Sequence, residues 1–120
     1  MSERNPYSDL LALHKELRAL SERHKDLLKR LVNEFSERYR MPKTHRSRLM
    51  RLELENPDVI RNMLLAIKML EERGITIKRV YGDALYPTFY IETRGSGNPG
   101  RLNVEIKRKI GAPRNHWYII

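Results

Sequence analysis

GSGNPGRLNVEIKRKIGAP, residues 95–113, is the stretch whose reading decides the fold. Its middle alternates, with Leu102, Val104 and Ile106 on one side and Arg101, Asn103, Glu105, Lys107 and Lys109 on the other. That is the period of a half-buried strand. GSGNPG (95–100) then reads as a flexible hairpin loop, and Gly111-Ala112-Pro113 as a turn into a last strand. Strands are expected over 75–81, 88–94, 101–110 and 116–120. Connections this short imply a four-stranded antiparallel β-meander. Everything before Gly74 reads as helix, so the expected class is α+β, with a long N-terminal helix and two further helices packed on one face of the sheet.

Upstream, no Gly or Pro interrupts the chain from Asp9 to Tyr39, and Ser8 is placed to cap a helix there. Leu10, Leu13, Leu17, Leu20, His24, Leu27 and Leu31 follow 3-4 spacing, the a/d seam of a heptad repeat. A second stripe, Leu28, Val32, Phe35 and Tyr39, begins as the first ends. A helix of about 31 residues would span roughly 46 Å, more than the width of a globule whose radius of gyration is about 14 Å. Its leading half is therefore expected to project and to pair through Leu10, Leu13, Leu17, Leu20 and Leu27 into a coiled-coil dimer or tetramer. The alternative is a break near Ser21 and an intramolecular hairpin. Residues 1–40 form the expected oligomerisation helix, merging into the core, and residues 41–120 an α+β nucleic-acid-binding domain. Thr44 can cap a short helix to about Glu55 with Leu49 and Leu52 inward. Asn56-Pro57-Asp58 signals the start of the next helix, with Val59, Ile60, Met63, Leu64, Ile67 and Leu70 as its apolar face and Gly74 as its stop.

Composition narrows the function. The chain has 120 residues and no Cys, which excludes disulfides, thiolate metal sites and cysteine nucleophiles. No apolar run approaches a membrane span or a signal peptide, so a soluble cytoplasmic protein is expected. Gln is absent while Lys, Arg and Glu are abundant, a thermophile-like composition. The net charge of +9 is unevenly placed: residues 1–37 are neutral, 38–52 carry +6, 53–92 carry −2 and 93–120 carry +5. Two basic blocks point to an anionic partner, and nucleic acid is the commonest for a protein of this kind. A basic surface kept for solubility is the bland alternative.

The basic block RYRMPKTHRSRLMR, residues 38–51, supplies candidate phosphate contacts in Arg40, Lys43, Arg46, Arg48 and Arg51. The meander would turn Phe89 and Ile91 into the core and Tyr90 outward, joined by Arg94, Arg101, Lys107 and Lys109. The last strand would add either Trp117 or Tyr118, since its register is open. Aromatics interleaved with cations make a stacking platform for single-stranded DNA or RNA. Reading a duplex would need an exposed recognition helix, and the helix over 44–55 carries a buried-looking LMRLELE half, so duplex binding ranks second.

No catalytic motif stands out. His14, His24, His45 and His116 have no metal-ligand spacing, and Walker, dinucleotide and nucleophile-elbow signatures are missing. Neither a metal, a cofactor nor a catalytic residue is expected, and the protein reads as a non-enzyme. One alternative remains, a small metal-free ribonuclease using His45, His116 and Tyr118. An assembly protein that only docks a partner through its heptad is a third reading.

A heptad helix, an Arg-rich connection, a Pro-started helix and a basic, aromatic four-stranded sheet together resemble the layout of the ThermoDBP-related single-stranded nucleic-acid-binding proteins of thermophilic archaea. The resemblance implies stacking in a cleft flanked by basic residues, with coiled-coil oligomerisation. By residue type, Tyr90, Trp117, Tyr118, Lys107 and Arg48 would match such a site. The leucine seam here stands at the start of the chain, whereas the group's namesake carries its zipper at the C-terminus.

Overall fold

The computed structural model describes residues 6–95, 97–113 and 116–120, and the side chains of all of these except 6–7 and 17–21. The chain divides into two units, residues 1–31 and 32–120. The first helix, α1 (Pro6–Arg38), crosses that division without a break, so no hairpin forms at Ser21. It opens two residues before Ser8, on a proline whose missing N–H costs nothing in a first turn. In the first unit Leu10, Leu13 and Leu27 are each more than half exposed, and Leu11 and Leu31 are exposed too. The side chains of Leu17 and Leu20 lie outside the described residues.

The second unit begins with the last turns of α1, where Val32, Phe35 and Tyr39 are buried as the second stripe implies. Arg40 then takes a left-handed conformation (φ 55°), and the Met41 N–H donates to the Ser36 carbonyl at 2.9 Å. That closes the helix as a Schellman motif at a position that usually belongs to glycine. Pro42 prevents its continuation. The Tyr39 carbonyl accepts from the Val80 N–H at 2.9 Å and fastens the helix end to the sheet.

A 3-10 turn (Lys43–His45) leads into α2 (Arg46–Glu55), which buries Leu49 and Leu52. α3 (Val59–Glu72) starts later than the Asn-Pro signal implies. Asp58 is left-handed (φ 75°), and the Glu53 carboxylate, reaching across from α2, accepts from the N–H groups of Asp58 (3.2 Å) and Ile60 (3.0 Å). An acid at a helix N-terminus satisfies free donors and favours the dipole. Val59, Ile60, Met63, Ala66, Ile67 and Leu70 are buried along α3, while Leu64 stays exposed. Gly74 (φ 77°) ends it, with the Ile75 N–H donating to Leu70 O.

Three strands follow. β1 (Thr76–Gly82) and β2 (Phe89–Arg94) pair antiparallel, with a register shift between Ile77 and Arg79. β3 (Trp117–Ile119) pairs parallel to β2 in the order β1-β2-β3. The expected four-stranded antiparallel meander is therefore overturned. Residues 99–110 form not a strand but a helix, α4 (Pro99–Ile110). The reason lies at its ends. Asn98 Oδ1 accepts from the Arg101 N–H at 3.1 Å, Pro99 sits in the first turn, and Gly111 (φ 75°) closes the helix through Lys107 O. Lys107, Arg108 and Lys109 in the last turn complement the dipole. Leu102, Ile106 and Ile110 share a helical face, so Ile106 is buried and Val104, its supposed strand partner, is exposed. Between β2 and β3 the chain now has the crossover that parallel strands require.

α3 packs on β1 and on α4, and α4 packs on β3. Their shared sheet face supplies the core side chains Val80, Phe89, Ile91, Trp117 and Ile119. Asn103 joins α4 to the β3 backbone: its Nδ2 donates to Ile119 O at 2.7 Å and its Oδ1 accepts from the Ile119 N–H at 2.6 Å. One amide thus pairs both ways with a strand residue, as a neighbouring strand would. Asn103→Ala should lower the unfolding free energy by about 2 kcal/mol, since two backbone groups lose their partner. Denaturant melts would read it, and a midpoint equal to wild type would refute it.

Candidate nucleic-acid interface

The other sheet face is built by side-chain alternation and register. Val80, Phe89 and Trp117 point to the helices, so Tyr81, Tyr90 and Tyr118 point away from them. Tyr81 is the direct partner of Tyr90, and Tyr90 of Tyr118. Three rings therefore stand side by side across all three strands, with centroids 5.5 Å and 6.4 Å apart and planes inclined by 44° and 31°. A cation closes each end. The Arg79 guanidinium lies 4.5 Å from the Tyr81 ring centroid and Lys107 Nζ lies 4.0 Å from that of Tyr118.

The row is held by its neighbours. The Tyr90 hydroxyl donates to Asp83 Oδ2 at 2.6 Å, which holds the Asp83 carboxyl below its ordinary range and pushes the tyrosine hydroxyl above its own. The other Asp83 oxygen accepts from the N–H groups of Leu85 (2.8 Å) and Tyr86 (3.1 Å), so one carboxylate ties the central ring to the loop over 83–88. Glu92 binds Arg79 at 2.8 Å and Lys78 at 3.2 Å, which lowers its proton affinity, through the Arg79 hydrogen bond first. These pairs are solvent-exposed and individually weak. They do remove much of the positive charge from the β1 end of the face.

Lys107 ends the row differently. It is 7% exposed, and Nζ also lies 4.8 Å from the Trp117 ring centroid. Burial pulls its pKa from 10.5 down to about 8. Beside it, a concavity of about 640 Å³ is lined by Asn103, Val104, Lys107, Arg108, Gly111, Ala112 and Tyr118.

The residues singled out from the sequence are distributed as follows. Tyr90 and Tyr118 are in the outer row, and the open choice in the last strand resolves to Tyr118, 37% exposed, with Trp117 at 1% facing the core. Lys107, placed on a strand by the sequence reading, reaches the row from α4. Arg101 and Lys109 are exposed on α4 and not on a sheet face, with Lys109 3.5 Å from Glu105. Arg94 is exposed at the far end of β2, opposite Thr76.

In the basic block, Arg40, Lys43 and Arg51 are exposed. Arg46 donates to Asn33 Oδ1 at 3.3 Å. Arg48 is spent on the fold: its Nη2 donates to the carbonyls of Asp83 and, at 2.9 Å, Tyr86. Its guanidinium also covers Gly82, where an added Cβ would meet Arg48 Nη1 and Phe89 Cε1 at 3.2 Å. His45 Nδ1 accepts the Gly82 N–H at 2.9 Å, and burial, then Arg48 and Arg79, hold its pKa below the ordinary histidine range. That nitrogen serves the β1 backbone. Among the described residues no group of three His, Cys, Asp or Glu could hold a metal ion.

Tyr81, Arg79 and Asp83 escaped the sequence reading. Their signal was available: once β1 and β2 are taken as a hairpin around residues 83–88, Tyr81 must face Tyr90. What the fold and face define is an α+β unit whose three-stranded mixed sheet is covered by helices on one side and carries a cation-ended tyrosine row on the other. No family model, no curated protein and no solved structure matches the chain. Among the described residues no helix is long and apolar enough to cross a membrane.

Proposed function

We propose that residues 32–120 bind single-stranded DNA or RNA, without catalysis and with little sequence preference. The observation that carries this reading is the row Tyr81–Tyr90–Tyr118 with Arg79 and Lys107 over its outer rings. Every base has a π-face, so stacking on tyrosines accepts any sequence at about 1–3 kcal/mol per base. Exposed Arg40, Lys43, Arg51, Arg94, Arg101 and Arg108 supply phosphate contacts, and the net charge of +9 draws the polyanion in.

The ribonuclease reading has less support, because His45 Nδ1 is occupied by the Gly82 N–H. A labelled single strand titrated against its own duplex across a salt series separates the readings. We expect tighter single-strand binding and a falling log-log salt dependence, about 0.7 per phosphate neutralised. Equal or tighter duplex binding would remove the single-strand reading, a flat salt response the phosphate role, and cleaved RNA the non-catalytic one.

A further inference from the structure

The exposed leucines of α1 carry a pattern that selects their own partner. With Leu10, Leu17, His24 and Leu31 at a positions and Leu13, Leu20 and Leu27 at d positions, the g positions fall at Asp9, Glu16, Arg23 and Arg30. All four of these side chains are exposed. Two acids thus lead and two arginines trail along one edge of the seam. In a parallel pair each g residue would face an e residue of the other helix, here His14, Ser21 or Leu28, none of them an acid or a fixed cation. In an antiparallel pair g faces g. Asp9 then meets Arg30 of the second copy and Glu16 meets Arg23, and by symmetry each of these pairs occurs twice.

The same alignment sets Leu10 against Leu27 and Leu13 against His24, with Leu17 and Leu20 meeting by position between them. Sliding one helix by a heptad would set Arg23 against Arg23 of the second copy, a like-charge contact. Charge and apolar spacing therefore agree on one register. We propose that α1 is an antiparallel homodimerisation helix whose orientation is fixed by the acid-to-arginine gradient of its g positions. The occupant of the leucine seam is a second copy of this chain.

Light scattering on the full chain, freed of nucleic acid, across a concentration series tests this. We expect about twice the 14.3 kDa chain mass. Asp9→Arg with Glu16→Arg makes an all-arginine edge, and Arg23→Glu with Arg30→Glu an all-acid one. Each double variant should dissociate at concentrations at least about tenfold higher than those that dissociate wild type. Mixing the two should restore the dimer mass, which also shows that both chains still fold. A monomeric wild type, a particle larger than a dimer, a mass that neither reversal changes, or a mixture that stays monomeric would overturn the proposal. A parallel pair predicts the third of these, since its g edges face no fixed charge.

Discussion

Tyr118→Ala and Tyr81→Ala should each weaken single-strand binding by about 5- to 100-fold, the loss of one stacked base. The slope of log affinity against log salt should stay as in wild type, because an uncharged ring neutralises no phosphate. Arginine variants on the exposed perimeter, Arg94→Ala or Arg51→Ala, should do the reverse, lowering the slope with a smaller loss at low salt. The contrast matters because a destabilised protein would lose both together. Tyr90 needs a gentler change. Its hydroxyl holds Asp83, and Asp83 holds the Leu85 and Tyr86 amides, so an alanine would unfasten the 83–88 loop as well as remove a ring. Tyr90→Phe keeps the ring and should keep most of the affinity. Should Tyr81→Ala and Tyr118→Ala both bind like wild type while still folded, the tyrosine row is not the binding face.

That row shows how far the sequence could be read. The α+β class, the buried Val32-Phe35-Tyr39 stripe and the apolar side of α3 were legible, because long helical spacing leaves few alternatives. Residues 99–110 were not. Leu102, Val104 and Ile106 satisfy a period of two, and Leu102, Ile106 and Ile110 satisfy a helical one equally well. The tie is broken by Asn98, Pro99 and Gly111, the start and stop signals of a helix, in a stretch whose glycines suggested a hairpin instead. The error propagated in a limited way. It supplied a fourth strand, made the sheet antiparallel and moved Arg101, Lys107 and Lys109 onto it. It left Tyr90 facing outward, since the faces of β2 depend on Phe89 and Ile91 alone. Arg48 is a different case. An arginine in a basic run looks like a phosphate ligand, and nothing local shows that two loop carbonyls more than thirty residues away will claim it.

Lys107 gives the largest expected effect of pH on stability. In the unfolded chain its amine has the ordinary pKa of 10.5, whereas in the fold burial lowers it to about 8. Below about pH 8 both states hold the proton, and the folded ammonium sits in a desolvated place. The faces of Trp117 and Tyr118 lie beside the amine. As pH rises from about 8 toward 10.5 the folded amine gives up its proton first, the unfolded state binds more protons than the native one, and stability climbs. Tyr39 and Tyr90 act oppositely, yet only higher up. Burial raises the first and the Asp83 hydrogen bond the second, so their contributions fade only above the ordinary tyrosine value of 10.0. Wild-type unfolding free energy should therefore increase between about pH 7.5 and 9.5, where most proteins are flat or falling. Lys107→Met removes the titrating amine and should flatten that rise. Chemical denaturation at both pH values decides it. If the variant keeps the wild-type rise between the two pH values, the Lys107 amine is not its source.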